Sequence, residues 1–187
     1  MNRLHGWYCS SDRWAKRLQG AVVPWVLGER SLGADALEVG PGPGLTTDVL
    51  ASRAERLTWI EVDETLASRL EQRLAGGNVT VVPGDATAMP FEDGRFSAAV
   101  SFTMLHHVPS AELQDRLFAE VRRVLAPGAL FLGSDSKSSR MFSVFHLFDT
   151  CVTVDPATLP ARLEHAGFVE AAVREADSAF KFRARRP

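Results

Sequence analysis

The sequence predicts an α/β fold built on a parallel β-sheet with helices on both faces, and three observations predict it. Short, almost wholly apolar runs recur along the chain: DALEVG (35–40), LTWIEV (57–62), NVTVVPGD (78–85), FSAAVSF (96–102) and ALFLGSD (129–135). Amphipathic segments of helical period lie between them. Strands without polar alternation belong in sheets buried on both faces, and such sheets are parallel and joined by crossover helices. The third observation is bulk: 187 residues, 45% hydrophobic and 24% charged, suit one domain. Such a domain buries roughly 70% of its unfolded surface and needs no disulfide or metal staple.

The elements follow in order. Residues 11–28 carry Trp14, Leu18, Val22, Val23 and Val26 at helical spacing, with Ser10 or Ser11 as cap and Pro24 as a break or kink. After the first strand, LTTDVLASRAERL (45–57) reads as a helix. After the second, DETLASRLEQRLAGG (63–77) is a charged amphipathic helix closed by Gly76-Gly77. ELQDRLFAEVRRVLAPG (112–128) has Leu113, Leu117, Val121 and Val124 on one stripe and ends at Pro127-Gly128. The last third differs. KSSRMFSVFHLFDT (137–150) is an aromatic-rich insertion, 156–166 reads as a helix, and FVEAAVREA and AFKFRARR read as two closing strands. Phe180, Phe182 and Ala184 alternate with Lys181, Arg183 and Arg185 in the last of them. Without a repeat or linker, residues 1–187 are expected to form a single domain, with 1–30 an N-terminal helical segment and 137–150 a small insertion or lid.

Charge and cysteine content narrow the function classes. Twenty-one Lys plus Arg against 23 Asp plus Glu give a net charge of −2, without the basic excess of a phosphate-neutralising nucleic-acid binder. Cys9 and Cys151 form no C-x-x-C pair, so a disulfide framework is not expected and a reducing cytoplasm fits. The first residues lack the apolar run of a signal peptide, and no stretch has the length of an integral membrane segment.

LEVGPGPGLTT (37–47) joins the first strand to the next helix. Its glycines let the backbone pass close under a ligand. A dinucleotide fingerprint needs glycine or alanine at 45, where Leu45 stands, and a Walker loop needs Lys followed by Ser or Thr. Glu61 ends the second strand, where a carboxylate can accept both hydroxyls of a ribose. Asp85 follows the third, where it can accept from an adenine amino group. Glu38 sits two residues before Gly40. Acids at the carboxyl ends of successive parallel strands share one crevice, and that crevice suits a cationic ligand better than a pyrophosphate.

With these residues in view, the chain resembles the class I S-adenosylmethionine-dependent methyltransferases of the small-molecule type. The resemblance rests on LEVGPGPG (37–44), IEVD (60–63), VVPGDATAMPF (81–91), FSAAVSFTMLHHV (96–108) and RVLAPGALFLGSD (123–135). It implies a Rossmann-like three-layer sandwich with a seven-stranded, mostly parallel sheet of order 3-2-1-4-5-7-6, its last strand antiparallel. It implies S-adenosyl-L-methionine as cofactor and S-adenosyl-L-homocysteine as product. By the same resemblance Glu38, Gly40, Pro41, Gly42 and Gly44 line the methionine and ribose part. Glu61 holds the ribose and Val62 packs on adenine. Asp85 and the backbone of Ala86 read the adenine edge, and Ser101 and Phe102 border the sulfonium. Ser97 replaces the aspartate common before strand four. Asp63 is a rival to Glu61, but alternate positions point the same way and Asp63 is better placed to start the next helix.

The acceptor side is less legible. Methyl transfer is an in-line displacement, so an enzyme mainly positions the nucleophile and excludes water. His107 and His106 are the titratable candidates for taking a proton from an acceptor or orienting it, against the simpler reading that they close a loop. In an extended segment the two rings point apart. His146 and Asp149, three apart, share a helical face, but no spaced motif supplies further ligands, so no metal site is expected. Phe142, Phe145, Phe148, Met104, Trp7 and Tyr8 either roof an acceptor pocket or pack in the core. IEVDETLA and VVPGDAT also resemble the ribosomal-RNA adenine dimethyltransferases, whose Asn-Pro-Pro-aromatic motif is replaced here by residues 102–107, FTMLHH. The expectation is therefore a cytoplasmic methyltransferase, monomer or homodimer, acting on O, N or C of a small-molecule, lipid-like or quinone-like acceptor and not on nucleic acid. The rivals are a non-catalytic cofactor-binding regulator or assembly protein, and a nicotinamide oxidoreductase.

Overall fold

The computed structural model describes residues 11–139, 142, 144, 146–147 and 149–187. Trp7, Tyr8, Cys9, Ser10, Phe145 and Phe148 lie outside the described residues. In chain order the elements are α1 (Asp12–Arg17), a π-helical turn (Leu18–Val22), α2 (Val23–Leu27), β1 (Gly33–Val39), α3 (Thr47–Ala51), β2 (Ala54–Glu61), α4 (Glu64–Leu74) and β3 (Val79–Pro83). There follow β4 (Phe96–Phe102), a 3₁₀ turn (Leu105–His107), α5 (Ala111–Val124), β5 (Leu125–Ser136), α6 (Leu159–His165), β6 (Val169–Glu175) and β7 (Ala179–Arg185).

The strands form a seven-stranded sheet of order β3-β2-β1-β4-β5-β7-β6. β1 to β5 pair in parallel, and β7 runs antiparallel between β5 and β6. Each face of the sheet carries its own core. Leu37, Val39, Phe96, Phe131 and Phe182 pack with Leu117, Phe118 and Val121 of α5 on one face. Ala36, Trp59, Val100 and Leu132 pack with Leu27, Leu50 and Leu70 on the other. The continuous apolar runs are thereby explained, because both sides of the central strands are covered. Among the described residues, no helix is long and apolar enough to cross a membrane.

Local differences from the sequence reading have physical reasons. The helix expected over 45–57 is only Thr47–Ala51, and β2 starts at Ala54, where it pairs with Gly33 at the start of β1. The ladder along β1 outcompetes the helix propensity of Ala54–Leu57. α5 stops at Val124, before Pro127-Gly128, because Leu125 already pairs with Phe96 across a register shift in β4. The closing helix spans Leu159–His165, not 156–166; the Asp155 carboxylate accepts from the Ala157 N–H and holds a turn ahead of it. Pro24 neither ends nor isolates the first helix. The π-helical turn just before it, closed by Val23 N–H donating to the Leu18 carbonyl, absorbs the proline with its missing N–H near the start of α2.

Candidate functional site at the strand ends

The carboxyl ends of β1, β2 and β4 open into one cavity of about 460 Å³. It lies where the strand order reverses between β1 and β4, the place where an open α/β sheet leaves a crevice. The glycine loop after β1 forms its floor. Gly42, at φ +56°, has nothing within 4 Å of where a Cβ would stand, so its backbone faces open space. Gly44 serves packing instead: a Cβ there would come within 2.6 Å of the Trp59 ring.

Glu61 ends β2 and is 6% exposed. Its carboxylate accepts from the Gly42 N–H and the Asp63 N–H, each at 3.0 Å. Those bonds tie the glycine loop to the second strand and fix the carboxylate. Each oxygen keeps a further lone-pair direction for a ligand. Asp63 caps α4, its Oδ1 accepting from Thr65 N–H at 2.9 Å and Leu66 N–H at 3.0 Å. Asp63 also borders the cavity, but its carboxylate is engaged in starting the helix. Val62, 73% exposed, presents an apolar face at the rim. The Asp85 carboxylate accepts from Thr87 N–H at 2.8 Å, which shapes the loop after β3.

Of the residues named from sequence, Gly40, Pro41, Gly42, Glu61, Val62, Asp85, Ala86 and Phe102 line the cavity, and so does His107. Glu38, Gly44, Ser101 and His106 do not. Glu38 is buried beneath the loop, where the Thr46 hydroxyl donates to it. Burial pushes its carboxyl up to about 7, against the Thr46 hydroxyl and the neighbouring Trp59 indole N–H, which pull it down; Glu61 adds repulsion. Trp59 Nε1 and Glu38 Oε2 make no full hydrogen bond among the described residues. Ser101 is likewise buried behind the wall.

The His106-His107 pair is not in an extended segment, as the sequence reading assumed. It forms the 3₁₀ turn, and the ring centroids lie 4.2 Å apart. His107 faces the cavity, whereas His106 is 3% exposed and its Nδ1 lies 2.5 Å from Oδ1 of Asp135 at the end of β5. Sequence reasoning missed Asp135, because only the sheet brings position 135 beside position 106. It also missed Trp14 and Leu18, four residues apart on the N-terminal helical segment, which close the cavity from outside. Gln19 Nε2 holds that segment to the loop by donating to the Leu45 carbonyl at 2.7 Å. Met104, Val108, Leu113 and Leu117 give the far end of the cavity an apolar wall, with Asp149 and Thr150 at its edge. Cys151 is half-buried, and burial, then Asp135 and Asp149, pushes its thiol up, which keeps it protonated and unreactive.

Residues 37–133 match the sequence profile described as a methyltransferase domain. A probable S-adenosylmethionine-dependent methyltransferase of Mycolicibacterium smegmatis is 31% identical over 65% of this chain and 44% of its own length. A probable ribosomal RNA small subunit methyltransferase A of Haloarcula marismortui is 38% identical over 48% of this chain and 31% of its own. The chain thus spans less than half the length of these curated relatives. Among solved structures, a SAM-dependent methyltransferase from Aquifex aeolicus superposes over the full length of both chains with a TM-score of 0.76 at 18% identity, a likeness of fold.

Proposed function

The chain belongs to the methyltransferase-domain family, and from that premise we propose that it transfers a methyl group from S-adenosylmethionine to an oxygen, nitrogen or carbon of a small acceptor. The observation that carries the reading is Glu61, a buried carboxylate braced by two amides and open to the cavity beside Gly42. The donor set fits the cofactor. Glu61 would accept from the ribose hydroxyls, the glycine loop would hold the methionine part, Val62 would pack on the adenine, and Asp85 with Ala86 would meet its edge. Glu38 and Gly44 act from beneath, by fixing the loop. When bound, the cofactor supplies a methyl group made electrophilic by its sulfonium.

The rest falls to the chain. Phe102 and Met104 border the transfer site, and Val108, Leu113 and Leu117 exclude water from the acceptor. His107 is the polar group that meets the acceptor, orienting it or accepting its proton. A small acceptor is favoured over RNA by that apolar wall and by the net charge of −2.

The test supplies methyl-labelled S-adenosylmethionine with a small-molecule extract in one arm and with ribosomal RNA in the other. Label in an identified small molecule supports the reading. Label in RNA overturns the acceptor class. Binding of S-adenosylhomocysteine with no transfer in either arm favours a non-catalytic cofactor-binding protein.

A further inference from the structure

We propose that His106, His107 and His146 bind a divalent transition metal of the zinc class at the acceptor wall of the cavity. The inference rests on the methyl-transfer reading only for what the metal would do: with its lone pair on the metal, His107 would orient the acceptor through that metal and would not itself take the acceptor's proton.

Three distant pieces of chain converge here. The 3₁₀ turn brings two imidazoles, the 137–150 segment brings the third, and β5 brings Asp135. A ring nitrogen of each histidine lies within 4.8 Å of the other two. The His106 and His146 rings stand at 89° with centroids 5.1 Å apart. Nitrogens around a tetrahedral zinc are roughly 3.3 Å apart, given bonds of about 2.0–2.1 Å. Metal binding would draw the three rings together across that gap.

Proton placement is the stronger argument. His146 Nδ1 lies 2.8 Å from the Phe142 carbonyl oxygen, which can only accept, so Nδ1 carries the hydrogen and Nε2 carries a lone pair. His106 Nδ1 donates to the Asp135 carboxylate, so Nε2 is the nitrogen of His106 left to face a metal. Carboxylate and carbonyl acceptors behind the imidazole are the outer partners that fix metal-binding histidines in the ligating tautomer. Three neutral nitrogens with one open position fit zinc better than magnesium or calcium, which prefer oxygen.

Charge points the same way. Asp135 is 1% exposed and accepts from the backbone N–H groups of His106 and Ser136, at 3.1 and 2.6 Å. Among the described residues, no lysine or arginine pairs with it. Buried this deeply, the carboxylate calls for positive charge on the imidazole side. A divalent cation on the imidazoles supplies it. Through His107 the open position faces the cavity, where an acceptor oxygen or nitrogen can bind.

The experiment titrates Zn²⁺ into tag-free, chelator-treated protein by calorimetry, and Co²⁺ by visible absorption. One equivalent of Zn²⁺ should bind at micromolar Kd or tighter, and Co²⁺ should give visible ligand-field bands. His146→Ala, in a turn outside the sheet, should weaken binding at least about tenfold. Asp135→Asn keeps one of the two acceptor oxygens, without the charge, and should weaken metal binding about 10- to 100-fold, with unchanged circular dichroism. Failure to bind one equivalent overturns the site, as does binding that survives His146→Ala. S-adenosylhomocysteine titrated into the same protein reports on the methyl-transfer reading separately. A chain that binds it and not zinc loses the metal site alone.

Discussion

The two ends of the cavity are built differently. At the cofactor end the polar groups are held by partners close in sequence or on the adjoining strand: Glu61 by Gly42 and Asp63, Asp85 by Thr87, Asp63 by its own helix. At the acceptor end the groups are held across the chain. His106 leans on Asp135, the His106 carbonyl accepts from the Val152 N–H at 2.8 Å, and the Leu105 and Val152 carbonyls share the Gln114 side-chain amide. The first construction rests on backbone geometry that the glycine loop and the strand ends set locally. The second depends on contacts between segments far apart in sequence and sits at the end of the cavity proposed to meet the acceptor.

That division is broken most forcefully at His107. His107→Ala should lower kcat by at least about 10²-fold, the lower range for loss of a positioned acid–base group, with the Kd for S-adenosylhomocysteine within about twofold. A Kd that moves as far as kcat would mean that the imidazole shapes the cofactor end too, and the two ends would not be separable. Next in size is Glu61→Ala. Losing two charge-assisted hydrogen bonds should cost about 2–4 kcal/mol of S-adenosylhomocysteine binding, read by calorimetry. Asp63→Ala should cost about 1 kcal/mol of stability through its cap and much less binding. Equal binding losses at 61 and 63 would return Asp63 to the ribose.

The same contrast explains what was legible in the sequence. The strand runs, the glycine loop and the acids at strand ends are local patterns, and the parallel fold converts equal spacing into a shared crevice. Glu61 could therefore be placed by counting. The His106–Asp135 pair could not, since 29 positions separate its members and only the β4–β5 pairing brings them together. His146 was weighed with Asp149 by helical spacing, whereas its neighbours in space are His106 and His107. Glu38 shows a subtler limit. Its place at the end of β1 was readable, but strand alternation turns it away from the cavity and into the core with Trp59, which a motif does not reveal.

Glu38 also gives the smallest effect and the sharpest sign. With its carboxyl pushed up to about 7 by burial, the folded chain keeps a proton that the unfolded chain releases near the usual 4.5. The folded state then binds more protons over that interval, so stability should fall as pH rises from about 4.5 through 7. Glu38→Gln keeps an acceptor for Thr46 and carries no charge at any pH. It should match the wild type near pH 5 and exceed it by about 2 kcal/mol at pH 8, measured by urea unfolding at the two values. Its affinity for S-adenosylhomocysteine should change far less than that of Glu61→Ala, because Glu38 braces the loop from below while Glu61 faces the ligand. Parallel pH profiles for the two proteins would mean that Glu38 is ionised in the fold. It would then belong with the groups that bind, and the cofactor end would hold three working carboxylates instead of two.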